Sequence, residues 1–269
     1  MASAYDRVKA ARESSRPTSA DYISRVFEGF IELHGDRKFA DDHAVIGGVG
    51  RLRGLPVTVI GIEKGHDAKE RVYRNFGQPG PEGYRKTLRL MRQAEKFGRP
   101  VVCFIDTSGA FCGIGAEERG QGQAIAENLY EMSDLDVPII SVLIGEGGSG
   151  GALALAIADR VWMLENSVYS VISPEGCASI LWKDAARAEQ AADHLRLTAA
   201  DALSFGVADR IIGESDIGSD DFYERLKNDL YNELGVISGI KDLTSSRYDR
   251  FRAFGTYRER GVIAPNQAE

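Results

Sequence analysis

Five glycines in seven positions, Gly145-Glu-Gly-Gly-Ser-Gly-Gly151, separate the apolar run Val137–Ile144 from an Ala/Leu-rich run, Gly151–Ala158. Each glycine costs conformational entropy on folding, so stability alone does not account for such a run. Glycine lets main chain come close to a ligand. At a strand-to-helix junction, the free N–H groups of the helix start also point at negative charge. The chemistry this suggests is the holding of an anion by peptide donors. Two other readings compete with it. Gly145, Gly147 and Gly150 match G-x-G-x-x-G, and Glu165 lies about twenty residues on, as in a dinucleotide-binding unit. Against this, the unit lies in mid-chain and nothing near it resembles a hydride-transfer set. A phosphate-binding P-loop is weaker, because no Lys-Ser or Lys-Thr follows the glycines. Alternatively, the glycines serve only tight helix–strand packing.

A second loop, Asp106-Thr-Ser-Gly-Ala-Phe-Cys-Gly-Ile-Gly-Ala116, follows another apolar run, Pro100–Ile105. In open α/β sheets ligands gather beyond the carboxyl ends of the strands, so two such loops are expected side by side. Backbone donors would form one wall of a shared pocket and Phe111 an apolar face. Asp106 reads equally as a turn cap or as a catalytic carboxylate. His34, His43, His66 and His194 have no metal-ligand spacing, and no metal site is expected. Ser149 has no histidine partner in sequence, and no G-x-S-x-G nucleophile elbow is expected. Cys103, Cys112 and Cys177 show no CxxC spacing; Cys103 and Cys177 read as small buried apolar residues. Backbone donors without an acid–base set suit a reaction whose base comes from substrate or cofactor.

Several elements must position these loops. Thr18 or Ser19 caps a helix with Tyr22, Val26, Phe27, Phe30 and Leu33 on one face, ended by Gly35. A hairpin follows, Ala44–Leu52 and Pro56–Ile62, turning at Gly54. Residues Glu63–Gly83 are charged and irregular, the pattern of a functional or mobile segment. A basic helix, Pro81–Phe97, points Leu88, Met91 and Ala94 inward. Strand Pro100–Ile105 then leads to a helix at Ala116–Ser133, and strand Val137–Ile144 to a helix at Gly151–Ala158. Strand Arg160–Leu164 and the segment Tyr169–Ile172 come next. Helical stretches are expected at Pro174–Trp182, Lys183–Leu195 and from Thr198 to Phe205, then a strand at Val207–Ile212. From Ser219 the chain is an amphipathic helix with Phe222, Leu226, Leu230 and Leu234 on one stripe, which packs on its own domain or on a partner. Strands apolar throughout and separated by helices imply a largely parallel sheet covered on both faces. The expected layout is an α/β domain over 1–216 and a helical tail over 217–269.

The chain has 269 residues, 43% hydrophobic and 27% charged, ordinary values for a globular protein. A net charge of −7 argues against a nucleic-acid surface, which wants a basic excess. No apolar run is long enough to span a bilayer, and Met1–Pro17 lacks an apolar signal core, so a cytoplasmic protein is expected.

Four strings carry a resemblance: Lys69–Arg89 (KERVYRNFGQPGPEGYRKTLR), Gly113–Gln121 (GIGAEERGQ), Gly145–Leu153 (GEGGSGGAL) and Tyr169–Lys183 (YSVISPEGCASILWK). Together they resemble the carboxyltransferase α-subunit family of bacterial acetyl-CoA carboxylase. The likeness runs from about Arg16 to Ile212, with Arg247-Tyr-Asp-Arg in the tail also fitting, and it decides against a dinucleotide-binding protein. Longer members of that family carry a helical N-terminal extension, which is not expected here.

The resemblance implies a crotonase-like fold of repeated ββα units and an α₂β₂ assembly with a β subunit that bears a zinc ribbon. It implies action after a biotin carboxylase has loaded biotin on a biotin carboxyl carrier protein, with ATP used at the level of the whole complex. The implied reaction moves CO₂ from carboxybiotin to acetyl-CoA, giving malonyl-CoA, the first committed step of fatty acid biosynthesis. In that family carboxybiotin loses CO₂, the ureido anion takes a proton from the acetyl-CoA methyl group, and the enolate attacks CO₂. The α subunit looks after biotin and the β subunit after the acyl-CoA. The matching oxyanion donors are Gly147 and Gly148, while Gly109, Ala110, Phe111, Gly113 and Ser149 line the biotin site. Where the family reads DTPGAYPG, Ser108, Phe111 and Cys112 depart from it. Fewer prolines imply a looser loop. The basic residues Lys64, Lys69, Arg71, Arg74, Arg85, Lys86, Arg89 and Arg92 read either as a solvated face or as contacts to CoA phosphates, carrier or β subunit. Rival readings are a related biotin-dependent acyl-CoA carboxylase or decarboxylase, and a non-catalytic assembly or regulatory subunit.

Overall fold

The computed structural model describes residues 2–255 and, beyond them, the paired strand backbones of Tyr257–Glu259 and Val262–Ala264. Helix α1 (Ala4–Ala11) is closed by a capping box between Ser3 and Asp6. Helix α2 (Ser19–Val26) starts at Thr18 as expected but ends at Phe27, whose backbone is already extended. Strand β1 (Glu28–Glu32) follows instead of more helix. Phe27, Phe30 and Leu33 fit a helical stripe, but sheet pairing wins: Ile31 stands opposite Val49, and Leu33 N–H donates to Gly47 O. Gly48 permits the close approach, because a Cβ there would collide with Ile31 O.

The hairpin β2 (Val45–Leu52) and β3 (Leu55–Ile62) turns at Arg53 and Gly54, both with positive φ. The irregular stretch after it contains one short helix, α3 (Ala68–Tyr73), capped by Asp67. Helix α4 (Pro81–Lys96) buries Leu88, Met91 and Ala94. Strand β4 (Val101–Thr107) leads to α5 (Ile114–Glu118) and α6 (Gln121–Asp134). The single helix expected here is broken by Gly120, which takes φ 84°. Strand β5 (Ile139–Gly148) runs into the glycine loop, so α7 (Ser149–Leu153) is shorter than the expected helix. Then come β6 (Arg160–Leu164), β7 (Val168–Ser170), α8 (Pro174–Trp182), α9 (Ala188–Leu195), α10 (Ala199–Ser204) and β8 (Arg210–Ile212). The tail is α11 (Asp220–Ser238) and α12 (Leu243–Arg252).

The sheet order is β1-β2-β3-β4-β5-β6-β8, with β7 alongside the far end of β5. The first three strands are antiparallel and the rest parallel. Side-chain alternation gives the sheet two buried faces. Val101, Cys103 and Ile105 enter the core under α4, while Val102 and Phe104 face α2 and α11. The α11 stripe of Phe222, Leu226, Leu230 and Leu234 completes that second core, so the tail helix lies on its own sheet. Among the described residues, no helix is long and apolar enough to cross a membrane.

Candidate active site

β4 and β5 are parallel neighbours and end on the same edge, which brings the two glycine loops together. The approach is closer than side chains allow. A Cβ on Gly151 would lie 2.5 Å from Ala110 N and 2.7 Å from Gly109 C, and one on Gly148 would strike the carbonyl of Ser108. At Gly145 a Cβ would run into the Asp106 carboxylate, and at Gly147 into Leu143 and, at 3.0 Å, Tyr169. Tight packing therefore explains four of the five glycines. Gly150 is the exception, with only Ile125 Cγ2 at 3.8 Å.

The run begins inside the strand. Glu146, Gly147 and Gly148 pair with Val168, Tyr169 and Ser170 of β7, and Gly147 also stands opposite Thr107 of β4. Amides in a parallel ladder are shared between the strands on either side. The expected donors at Gly147 and Gly148 thus stand in the sheet ladder of the isolated chain. Amides without strand partners come next, in the first turn of α7, where no preceding turn can accept them.

Ser149 makes the turn from strand to helix at φ 50°, a left-handed conformation rare outside glycine. Residues 147–151 do spell G-x-S-x-G on a strand–turn–helix, which corrects the expectation that no elbow occurs. No histidine serves it. His34 pairs with Asp41, His43 stacks on Tyr73, His66 contacts Thr18 and Asp21, and His194 meets Gln190 O.

A cavity of about 390 Å³ lies beside this turn, walled by Ser149, Gly150, Leu153, Tyr169, Ser170 and Val171. Burial raises the Tyr169 hydroxyl to about 12, so it remains neutral. Across the strand end a narrow pocket of about 40 Å³ is lined by Ser108, Glu146–Ser149 and Ser170 among others. A third cavity, about 220 Å³, is bounded by Arg12, Lys64, Arg71, Phe76, Ser108 and Glu146.

The Asp106–Gly113 loop is firmly tied despite its missing prolines. Thr107 Oγ1 accepts from Gly109 N–H at 3.0 Å, Phe111 N–H donates to Pro79 O, and Gln121 Nε2 donates to both Pro79 O and Phe111 O. Gly109 has φ 146°, and Ala110 packs near Tyr84, Ala124 and Ala154. The Phe111 ring lies over Gly113, whose Cβ would meet it at 2.5 Å. Gly109, Ala110, Gly147, Gly148 and Ser149 therefore meet at one junction, while Phe111 and Gly113 pack on each other further along the loop.

Asp106 is a cap of unusual reach. Its Oδ1 accepts from Glu146 N–H at 2.8 Å and from the Lys64 ammonium at 2.6 Å. Lys64 is one of eight basic residues between positions 64 and 92 singled out by the sequence, but most of the other seven are engaged inside the chain. Lys86 is buried on Asp41 and Val45 O, Arg85 binds Asp36 and Glu82, Arg92 binds Glu131, and Arg89 donates to Gly35 O. Arg74 donates to His43 O and Arg71 to Gly65 O. Glu165, the acid of the dinucleotide reading, pairs with Arg7. Cys103 and Cys177 are buried and Cys112 is exposed; burial lifts the Cys103 thiol to about 12.

The family model "Acetyl co-enzyme A carboxylase carboxyltransferase-like" matches residues 2–255. The chain belongs to this carboxyltransferase family. It is 62% identical over 262 residues to the acetyl-coenzyme A carboxylase carboxyl transferase subunit alpha of Ruminiclostridium cellulolyticum, covering 97% of this chain and 99% of that one. It is 59% identical over 265 residues to the "subunits beta/alpha" protein of Natranaerobius thermophilus, covering 96% of this chain but 44% of that protein. The Pseudomonas malonate decarboxylase hetero-tetramer, solved with coenzyme A, superposes with TM-score 0.69 at 18% identity, over 86% of this chain and 92% of that one. Transcarboxylase 12S, solved with methylmalonyl-coenzyme A, gives 0.67 at 19% identity over 81% of this chain and 42% of that one. These likenesses agree with the crotonase-like α/β fold expected from the sequence. The Natranaerobius thermophilus protein carries beta and alpha subunits in its name, and the Ruminiclostridium cellulolyticum protein is named as the alpha subunit.

Proposed function

We propose that this chain, in an α₂β₂ assembly with a zinc-ribbon β subunit, transfers the carboxyl group of carboxybiotin to acetyl-CoA and so makes malonyl-CoA for fatty acid synthesis. Biotin, presented on its carrier protein by the partnership with biotin carboxylase, supplies when bound the activated carboxyl group and the base. The cavity beside Ser149 suits a flat ring with one polar edge: Leu153, Tyr169 and Val171 are apolar, and Ser149 and Ser170 carry hydroxyls. The single observation that carries the reading is the main-chain contact between the Gly109–Ala110 turn and the Gly147–Gly151 run. This contact fixes peptide dipoles where negative charge develops. Fixed donors at such a point contribute about 3 kcal/mol each to lowering a barrier. We assign that work to the backbone at Gly147 and Gly148 together with the first turn of α7. Partner contact at the strand end would decide which amides are released from the ladder. Gly109, Ala110 and Ser149 shape the floor, and Phe111 with Gly113 stiffens the adjoining loop.

The test is to mix the purified chain with a cognate β subunit, biotin and malonyl-CoA, and to follow acetyl-CoA formation in the reverse direction. Turnover that requires both subunits is expected. No turnover with any cognate β subunit would overturn the reading. The alternative is a related biotin-dependent acyl-CoA carboxylase or decarboxylase, since the same fold carries a decarboxylase in the Pseudomonas protein. Comparing malonyl-, methylmalonyl- and glutaconyl-CoA as carboxyl donors in the same assay separates the two, with malonyl-CoA expected to be preferred.

A further inference from the structure

Two carboxylates, Asp106 and Glu146, flank the place where the proposed reaction develops negative charge. Both are largely buried, with side chains 11% and 13% exposed. Alone, they would repel an anion at the end of β5. Lys64 lies between them, 2.6 Å from Asp106 Oδ1 and 3.5 Å from Glu146 Oε2. Arg12 holds the other oxygen of Glu146 at 2.8 Å and reaches Glu175 at 2.8 Å, where Tyr5 Oη also donates. Arg71 adds a third cation to the same cavity wall. Three cations thus balance three carboxylates, and loss of one cation leaves an excess negative charge beside the site. The lysine also joins the loops physically. Asp106 begins one, Glu146 lies within the other, and Glu146 N–H is bonded to the same Asp106 oxygen that Lys64 holds. Gly77 closes over the lysine, since a Cβ there would come 2.6 Å from Lys64 Cγ. Burial works against the ammonium, but the two carboxylates outweigh it and hold its pKa above the ordinary value.

We propose that Lys64 is a positioning residue of the carboxyl-transfer site: it ties the two glycine loops together and cancels the carboxylate field where the reaction makes an anion. The inference rests on the function proposed above. Its test uses the α–β complex with three variants, Lys64→Met, Glu146→Gln and the double variant. Lys64→Met is expected to lower kcat by about thirtyfold or more, the order expected for an uncompensated charge in a partly buried site. KM for acyl-CoA should stay within about threefold, because that substrate is expected to bind the other subunit. The double variant restores charge balance and is expected to recover at least about tenfold over Lys64→Met, which a merely structural role would not produce. A Lys64→Met enzyme within threefold of wild-type kcat, or a double variant no better than Lys64→Met, would overturn the proposal. If Lys64→Met does not fold, the same cycle on Arg12, which holds the far side of Glu146, replaces it with the same expected and overturning results. Hydrogen exchange on the free chain needs no turnover, so it separates this inference from the functional reading. Amides of 106–111 and 145–148 should exchange faster when Lys64 is replaced, and unchanged exchange there would refute the tie.

Discussion

A side chain at Gly151 has nowhere to go, whereas one at Gly150 does, although both belong to the same short run. The Gly151→Ala variant forces the Gly109–Ala110 main chain away, and overpacking of this kind costs about 1–3 kcal/mol. Its melting temperature is expected to fall by several degrees and its carboxyl transfer to drop sharply. Gly150→Ala meets only Ile125 at 3.8 Å, has no positive φ, and replaces a helical glycine. Its melting temperature is expected to hold or rise, because alanine is the better helix former by up to about 1 kcal/mol. Calorimetry on the pair checks the contrast; equal destabilisation would mean that the two loops do not touch as described. In the neighbouring loop Cys112 is an exposed thiol. Cys112→Pro is expected to leave turnover within about threefold of the parent, and a collapse would expose a role for the sulfur. That the two glycine loops lie side by side at the ends of β4 and β5 was legible in the sequence. The strain at Ser149 and the pairing of Gly147 in the sheet were not, because both depend on where β5 ends. Lys64 was visible only as one basic residue among eight, since nothing local to residue 64 announces a carboxylate from residue 106.

Elements were legible where one period or one cap dominated. Of the two candidates Thr18 and Ser19, Thr18 is the cap of α2, the helix expected from Thr198 starts there, and Arg160–Leu164 and Pro174–Trp182 have the bounds expected of them. Strand β1 was missed because Phe27, Phe30 and Leu33 satisfy a helical stripe, while the ladder that recruits them lies in β2. The helix after β5 was overestimated because alanine and leucine favour helix locally. Here the chain must instead return at Asp159, whose N–H and carboxylate both serve Ile139. The long helix α11 is held at its start by Ser219 Oγ, which accepts from Phe222 N–H at 3.1 Å. Ser219→Ala is expected to cost about 1 kcal/mol in denaturant unfolding. The segment before α2 is tied down differently. Arg16 grips Glu214 with both terminal nitrogens, at 2.7 and 2.8 Å, and also donates to Ile144 O in the middle of β5. Burial raises the pKa of Glu214, but Arg16 and Asn166 outweigh it and hold it below its ordinary 4.5. A depressed carboxyl contributes stability that is complete above its unfolded pKa and lost as pH falls through the folded value. Glu214→Gln is therefore expected to be less stable at neutral pH and to show a flatter stability curve below about pH 4.5 than the parent. Parallel curves in an acid titration would refute the assignment.

At the scale of the whole molecule, the sheet has a working end and a fastening end. The glycine loops occupy the carboxyl ends of β4 and β5, and the C-terminal helix α12 locks the opposite end. Arg247 is buried there. It donates to both oxygens of Asp159 at 3.0 Å and to the carbonyls of Met132, Leu135 and Val137. Asp159 in turn accepts from Ile139 N–H, the first residue of β5. A strand rises about 3.3 Å per residue, so the lock and Gly148 are separated by about 30 Å of β5. Removing one partner of a buried ion pair costs about 3–5 kcal/mol, because the other charge and the carbonyls are left unpaired. Arg247→Met should thus melt far below the parent. Adding Asp159→Asn should recover only part of the loss, since that carboxylate also serves β5. A lock at the far end supplies stability without shaping the site. At temperatures where the Arg247→Met complex stays folded, its kcat and KM are therefore expected to match those of the parent. A fall in kcat in the folded variant would show that strain travels the length of β5, and the two ends of the sheet would no longer be separable.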